Sequence, residues 1–332
     1  MIPSTRNWLF LPASLVLILL FALDLAWGSI DIPIRDFINI ITGSQENEVY
    51  REILLNYRFP KAITAVIAGA SLSMAGLMMQ TLFRNPLADP FILGVSSGAG
   101  LGVALTLMAS SVLPVFLVSS GWGTVLAAVI GASVILLLVI AVSFRLNNTV
   151  SLLIVGIMFG TIASSIVSIL QNFSNPDAIK LYVVWTFGSL SAVNWENLQV
   201  LFPVFFIGTL IAFALHKKSD GMLLGENYAR GLGINIQTTR VLMVISTGLL
   251  AGSVTAFTGP IAFVGVAIPH IARGLFLTST HKILMPASFI LGGILILLCD
   301  IISHIPEYTL PINTISALFG APVIIWIILK RN

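Results

Sequence analysis

Ten apolar runs, parted by short polar stretches, account for most of this 332-residue chain. They lie near residues 8–28, 62–83, 91–113, 122–144, 150–170, 198–215, 241–258, 261–277, 283–302 and 312–329. Each is apolar enough to cross about 30 Å of hydrocarbon as a helix. A segment in lipid must satisfy its backbone hydrogen bonds internally, so the pattern predicts an all-α polytopic membrane protein with ten transmembrane helices. One transmembrane domain covers residues 1–332. Pro269, His270 and Arg273 interrupt the eighth run, leaving its bounds the least defined. The first run has signal-peptide character, but more spans come after, so it is expected to stay as a membrane helix.

Composition agrees with this. Apolar residues make up 57% and charged residues 9%, against roughly 25% charged in soluble domains. The net charge of +3 is therefore no nucleic-acid footprint and has to be apportioned between the two sides of the bilayer. The lone Cys299 excludes an internal disulfide and a cysteine-based metal site. The termini and the stretches 84–90, 145–149, 216–240 and 273–282 carry eleven Lys/Arg and only three acids, Asp89, Asp220 and Glu226. The remaining loops carry five Lys/Arg and eight acids. The positive-inside rule makes the first group cytoplasmic, with both termini inside.

The largest lysine-rich interruption is 216–240. Gly221 and Gly225 punctuate it, and Gly231 and Gly233 are expected to supply helix-ending positive φ. Glu226 and Arg230 are spaced for a helical ion pair, and Tyr228 and Leu232 share one apolar face. The segment predicts a short amphipathic helix offered to a partner, against the plainer expectation of a connector.

Small residues mark close helix contacts at Gly94/Gly98/Gly102, Gly156/Gly160 and Gly248/Gly252. Residues 86–95 resemble 260–266 once three residues are skipped, which suggests an inverted internal repeat. The fifth run carries Thr161, Ser164, Ser165 and Ser168 on one face. Such hydroxyls serve packing, bond to their own backbone or line a path.

Five stretches together resemble the permease subunits of ABC importers for iron–siderophore complexes, haem and cobalamin. They are RNPLADPFILGVSSGAG (84–100), GENYARGLGI (225–234), GPIAFVGVAIPHIAR (259–273), LMPASFILGGILILLCD (284–300) and LPINTISALFGAPVIIWIILK (310–330). The resemblance implies a bacterial inner-membrane importer subunit working by alternating access. It implies a dimer with a second copy or a paralogue, the path between them, two cytoplasmic ATPase subunits holding ATP and Mg, and an outer substrate-binding protein. This chain itself would bind no cofactor. It further implies an ATPase-coupling loop containing Gly221, Leu224, Gly225, Glu226, Tyr228, Arg230, Gly231 and Gly233. The fifth helix would border the path, with the gate at Asn147, Asn148, Thr149 and Val150. Arg58 and Lys61 would grip acidic residues of the binding protein. Lys61 stands where Arg is expected and His304 where some members carry Arg, which weakens those two contacts.

The residues themselves exclude other chemistry. No GxxxxGK[ST] loop is present, so energy comes from a partner or an ion gradient. HExxH and GxSxG are absent, which leaves a membrane enzyme without its machinery. An ion-coupled carrier is the alternative. It would need ionisable groups near the midplane, whereas Asp24 and Asp300 are expected at hydrated helix ends. Arg273 is expected to snorkel to the cytoplasmic headgroups.

Overall fold

The computed structural model describes residues 6–28, 30–43, 47–109, 122–146, 149–305 and 309–330. Among them the chain forms α1 Phe10–Ala26, α2 Ile34–Thr42, α3 Glu48–Glu52, α4 Phe59–Leu82, α5 Val95–Met108, α6 Gly123–Ser143, α7 Thr149–Phe173 and α8 Pro176–Thr186. There follow α9 Trp195–Ala214, α10 His216–Leu223, α11 Glu226–Gly231, α12 Ile236–Thr247, α13 Ser253–Thr258, α14 Val264–Phe276, α15 His281–Ser303 and α16 Ile312–Lys330. The starts are written locally. Asn47, Asn175 and Asn235 each accept a first-turn amide, and Asn194 and Asn197 form a reciprocal capping box.

Among the described residues, seven helical stretches are long and apolar enough to span a bilayer, including α12–α13 joined through a π-helical turn at Gly248–Gly252. The other three predicted spans appear as the shorter apolar helices α5, α14 and α16. α5 and α14 are short for a shared reason. Each is entered through a left-handed residue, Gly94 (φ 74°) or Phe263 (φ 69°), that breaks the helical path before it. These are the two stretches that resemble each other in sequence.

α4 is the centre of the bundle, its apolar window 89% buried. α15 packs antiparallel to it with almost no space between backbones: a Cβ on Gly69 would lie 2.0 Å from the Gly292 carbonyl oxygen. α14 crosses α4 as closely, since a Cβ on Gly76 would lie 1.9 Å from the Gly265 oxygen. The glycine pairs expected from sequence do the same elsewhere. Gly98 meets Gly131, Gly102 meets Ala127, Gly160 meets Gly94, and Gly248 receives Leu136. Without a hydrophobic drive between helices in lipid, such contacts are where packing energy is gained.

Candidate functional site

The polar loop 216–233 folds as two short helices held by different parts of the bundle. α10 is tied to the central helices. Asp220 Oδ1 accepts from the His281 backbone amide (2.8 Å) and faces His281 Nδ1 at 2.7 Å, while His281 Nε2 meets Thr81 Oγ1 at 2.7 Å. His281 opens α15 and Thr81 lies in the last turn of α4. Gly221 lies inside α10, buried against Ile234, and does not break the chain.

α11 is tied to a different pair of helices. Glu226 Oε1 accepts from Thr149 Oγ1 (2.6 Å) and Arg240 Nη2 (3.1 Å). Arg240, buried to 1% exposure, also gives Nη1 to the Leu146 carbonyl at 2.8 Å. The ion pair of Glu226 is thus with Arg240 and not with Arg230, which is exposed. A desolvated partner across a helix junction outweighs a solvent-screened one four residues away. Gly231 is helical. The positive φ belongs to Gly233 (78°), where amides 233 and 234 return to carbonyls 230 and 229 in a Schellman closure. Gly225, at φ 108° and ψ 151°, is the break between α10 and α11. The solvent face presents Leu224, Tyr228 and Leu232, each more than half exposed. Beside it Arg84, Glu226, Asn227 and Tyr228 line a polar cavity of about 600 Å³.

Burial pulls the Glu226 carboxyl upward, but the Thr149 hydroxyl and the Arg240 charge outweigh it and hold the group below the usual glutamate range. Asp220 is likewise depressed: burial is overcome by the hydrogen bonds and charge of His281. A depressed carboxylate stabilises the fold above its unfolded pKa, about 3.9–4.3 here, and that contribution disappears as pH falls through the lower folded value. Solubilised protein should therefore lose thermal stability on acidification below about pH 4. Glu226→Gln should flatten that slope in a melting series; an unchanged slope would show that Glu226 contributes nothing to it.

The hydroxyl face of α7 is exposed. Thr161, Ser164, Ser165 and Ser168 all face outward, and Thr161, Ser165 and Ser168 bond to carbonyls 157, 161 and 164 of their own helix. Val150 is 59% exposed at the start of the same helix, while Asn147 and Asn148 lie outside the described residues.

At the opposite end of α4 the structure corrects the sequence expectation. Lys61 is 6% exposed, with Nζ 2.6 Å from Asp300 Oδ2 and 3.7 Å from Asp24 Oδ1. Arg58 is buried too, and its guanidinium donates to the carbonyls of Leu25, Ala26 and Ile30. His304 Nδ1 sits 2.8 Å from both Ser303 Oγ and the Asp300 carbonyl. Arg58 and Lys61 present no charge to an outside partner in this structure, and Asp24 and Asp300 are not hydrated. The reason is placement: Lys61 follows Arg58 by three residues on the face of α4 that meets α1 and α15, where both intramembrane acids lie. Arg273 does not reach for headgroups either; Nη1 donates to Gln80 Oε1 at 2.7 Å.

Among the described residues, seven stretches of membrane length packed around a buried central helix define a polytopic membrane protein. The chain belongs to the FecCD transport family, whose pattern matches residues 16–330. It is 36% identical over 277 residues, 82% of each chain, to the vitamin B12 import system permease protein BtuC of Salmonella typhi. To the protein of that name from Klebsiella pneumoniae it is 33% identical over 332 residues, covering 99% of this chain and 95% of the relative. Its fold matches a solved structure described as an inward-facing metal-chelate type ABC transporter, with a TM-score of 0.85 and 27% identity over 98% of this chain and 100% of that one.

Proposed function

We propose that this chain is the translocating subunit of an ATP-driven importer for a large metal chelate of the cobalamin, haem or iron–siderophore class. The observation that carries the reading is the outward hydroxyl face of α7, which a second permease copy would enclose as a path. The 216–233 end is cytoplasmic in this reading, with both termini on that side of a bacterial inner membrane. Two ATPase subunits, supplying ATP and Mg, dock on Leu224, Tyr228 and Leu232 of the loop. A substrate-binding protein delivers the chelate to the other face. The relatives' names support the chelate class, and the basic character of the loops supports the orientation.

The test is co-purification with the ATPase, followed by ATPase stimulation with binding protein loaded from a panel of chelates. Stimulation by cobalamin but not by ferric siderophores or haem would assign the substrate. Gly225→Val forces a β-branched residue into backbone open essentially to glycine. It should abolish ATPase attachment while the permease still inserts and dimerises. Full transport by that variant would reduce the loop to a connector. Uptake in vesicles without ATPase would favour an ion-coupled carrier instead.

A further inference from the structure

Residues 216–233 have two separate handles with a glycine break between them. The α10 handle is Asp220, held by His281 and Thr81 on the α4–α15 frame. The α11 handle is Glu226, held by Thr149 at the first residue of α7 and by Arg240 in the second turn of α12. Gly225, whose backbone a side chain would strain, stands between them.

Arg240 does more than neutralise Glu226. One guanidinium nitrogen holds the carbonyl of Leu146 at 2.8 Å, and the other faces Glu226 at 3.1 Å and Thr149 at 3.5 Å. Proton counting is consistent: the Thr149 hydroxyl donates to Glu226 and its oxygen faces the arginine. Three residues earlier on the same helix, Gln237 Nε2 donates to the Ser143 carbonyl at 2.8 Å, the last residue of α6. The start of α12 therefore grips the α6–α7 junction at Ser143, Leu146 and Thr149, and grips α11 through the same side chain. An arginine buried among fixed acceptors in low dielectric is a rigid joint, because breaking any one contact strands a desolvated charge.

We propose that Arg240 is a positioning residue that makes α11 and the start of α7 move as one body, so that a push on the exposed face of α11 reaches the path helix while α10 stays with α4 and α15. This rests on the permease reading above and adds the residues that carry the motion within it.

The test uses the permease reconstituted with its ATPase subunits. Spin labels on exposed Asn227 and Ile154 report α11 against α7; labels on Asn227 and Lys218 report α11 against α10. The expected result on ATP addition is a constant 227–154 distance and a changed 227–218 distance. In Thr149→Val and Arg240→Gln the 227–154 distance should also change, and substrate moved per ATP should fall roughly fivefold or more. Thr149→Ser, which keeps the hydroxyl, should restore both. A merely structural role predicts instead lower yields of folded complex, with coupling per folded complex as in the wild type. That result, or a 227–154 distance as variable as 227–218 in the wild type, overturns the proposal. Failure of the permease reading is distinct, because no ATPase would then bind the wild-type chain at all.

Discussion

Replacing Gly69 or Gly76 by alanine should leave little folded protein. An alanine Cβ at Gly69 would sit 2.0 Å from the Gly292 carbonyl oxygen and one at Gly76 1.9 Å from that of Gly265. The clashing atoms are backbone, so no rotamer change relieves them. α15 or α14 would have to withdraw from α4 along its length, opening the most buried part of the bundle. Overpacking a core costs about 1–3 kcal/mol when side chains can adjust; here they cannot, and a loss on the order of 3 kcal/mol or more is expected. Gly274→Ala is the control. It is helical, a Cβ there would meet nothing within 4 Å, and the change should be neutral or stabilising by up to about 1 kcal/mol. Melting curves and size-exclusion profiles in detergent decide this. Gly69→Ala behaving like Gly274→Ala would mean that α4 and α15 are not in backbone contact.

Lys61→Met should be nearly as damaging, for an electrostatic reason. The ammonium lies between two carboxylates that are 1% and 3% exposed. Its removal leaves Asp24 and Asp300 facing each other without the ammonium between them, and breaking a buried pair this way costs about 3–5 kcal/mol. Adding Asp300→Leu should recover much of the loss, because removing both members of a buried pair is far cheaper than removing one. The double-mutant cycle, read by thermal unfolding, measures the coupling. It also separates two roles for Lys61. A surface charge that grips a partner predicts normal stability with weakened docking; a joint between α1, α4 and α15 predicts loss of fold. Wild-type stability in Lys61→Met would restore the docking role.

The hydroxyl stripe of α7 and the exposed face of α11 were legible because each is a local pattern: residues three and four apart share a helix face wherever the helix goes. Arg240 was not. Its sequence neighbours are a polar turn and an apolar run, and one arginine at a helix start is indistinguishable from an interfacial anchor. Glu226 had an arginine four residues on, Arg230, that satisfied a helical spacing rule, and nothing local pointed to Arg240 instead.

The sequence by itself determined the apolar spans, because the hydrocarbon thickness and the demand for internal backbone hydrogen bonds act on each segment separately. It did not determine all their ends: the positive-φ entries at Gly94 and Phe263 shortened two of them, and α2, α3 and α8 lie outside the expected runs. It also marked some of the tight glycine contacts, at Gly94, Gly98, Gly102 and Gly156, since a missing side chain is local information, though not Gly69 against Gly292 or Gly76 against Gly265. Only the tertiary structure decided what the charges do. Lys61, Asp24 and Asp300 come from three helices far apart in sequence, and they meet because Gly69 and Gly292 let α4 and α15 close to backbone contact at one register and rotation. Once that register is set, burial makes each charge take the partner at its own depth. The same choice gave Glu226 to Arg240 and Arg273 to Gln80. Depth and rotation are properties of the packed bundle, and no spacing along one helix encodes them.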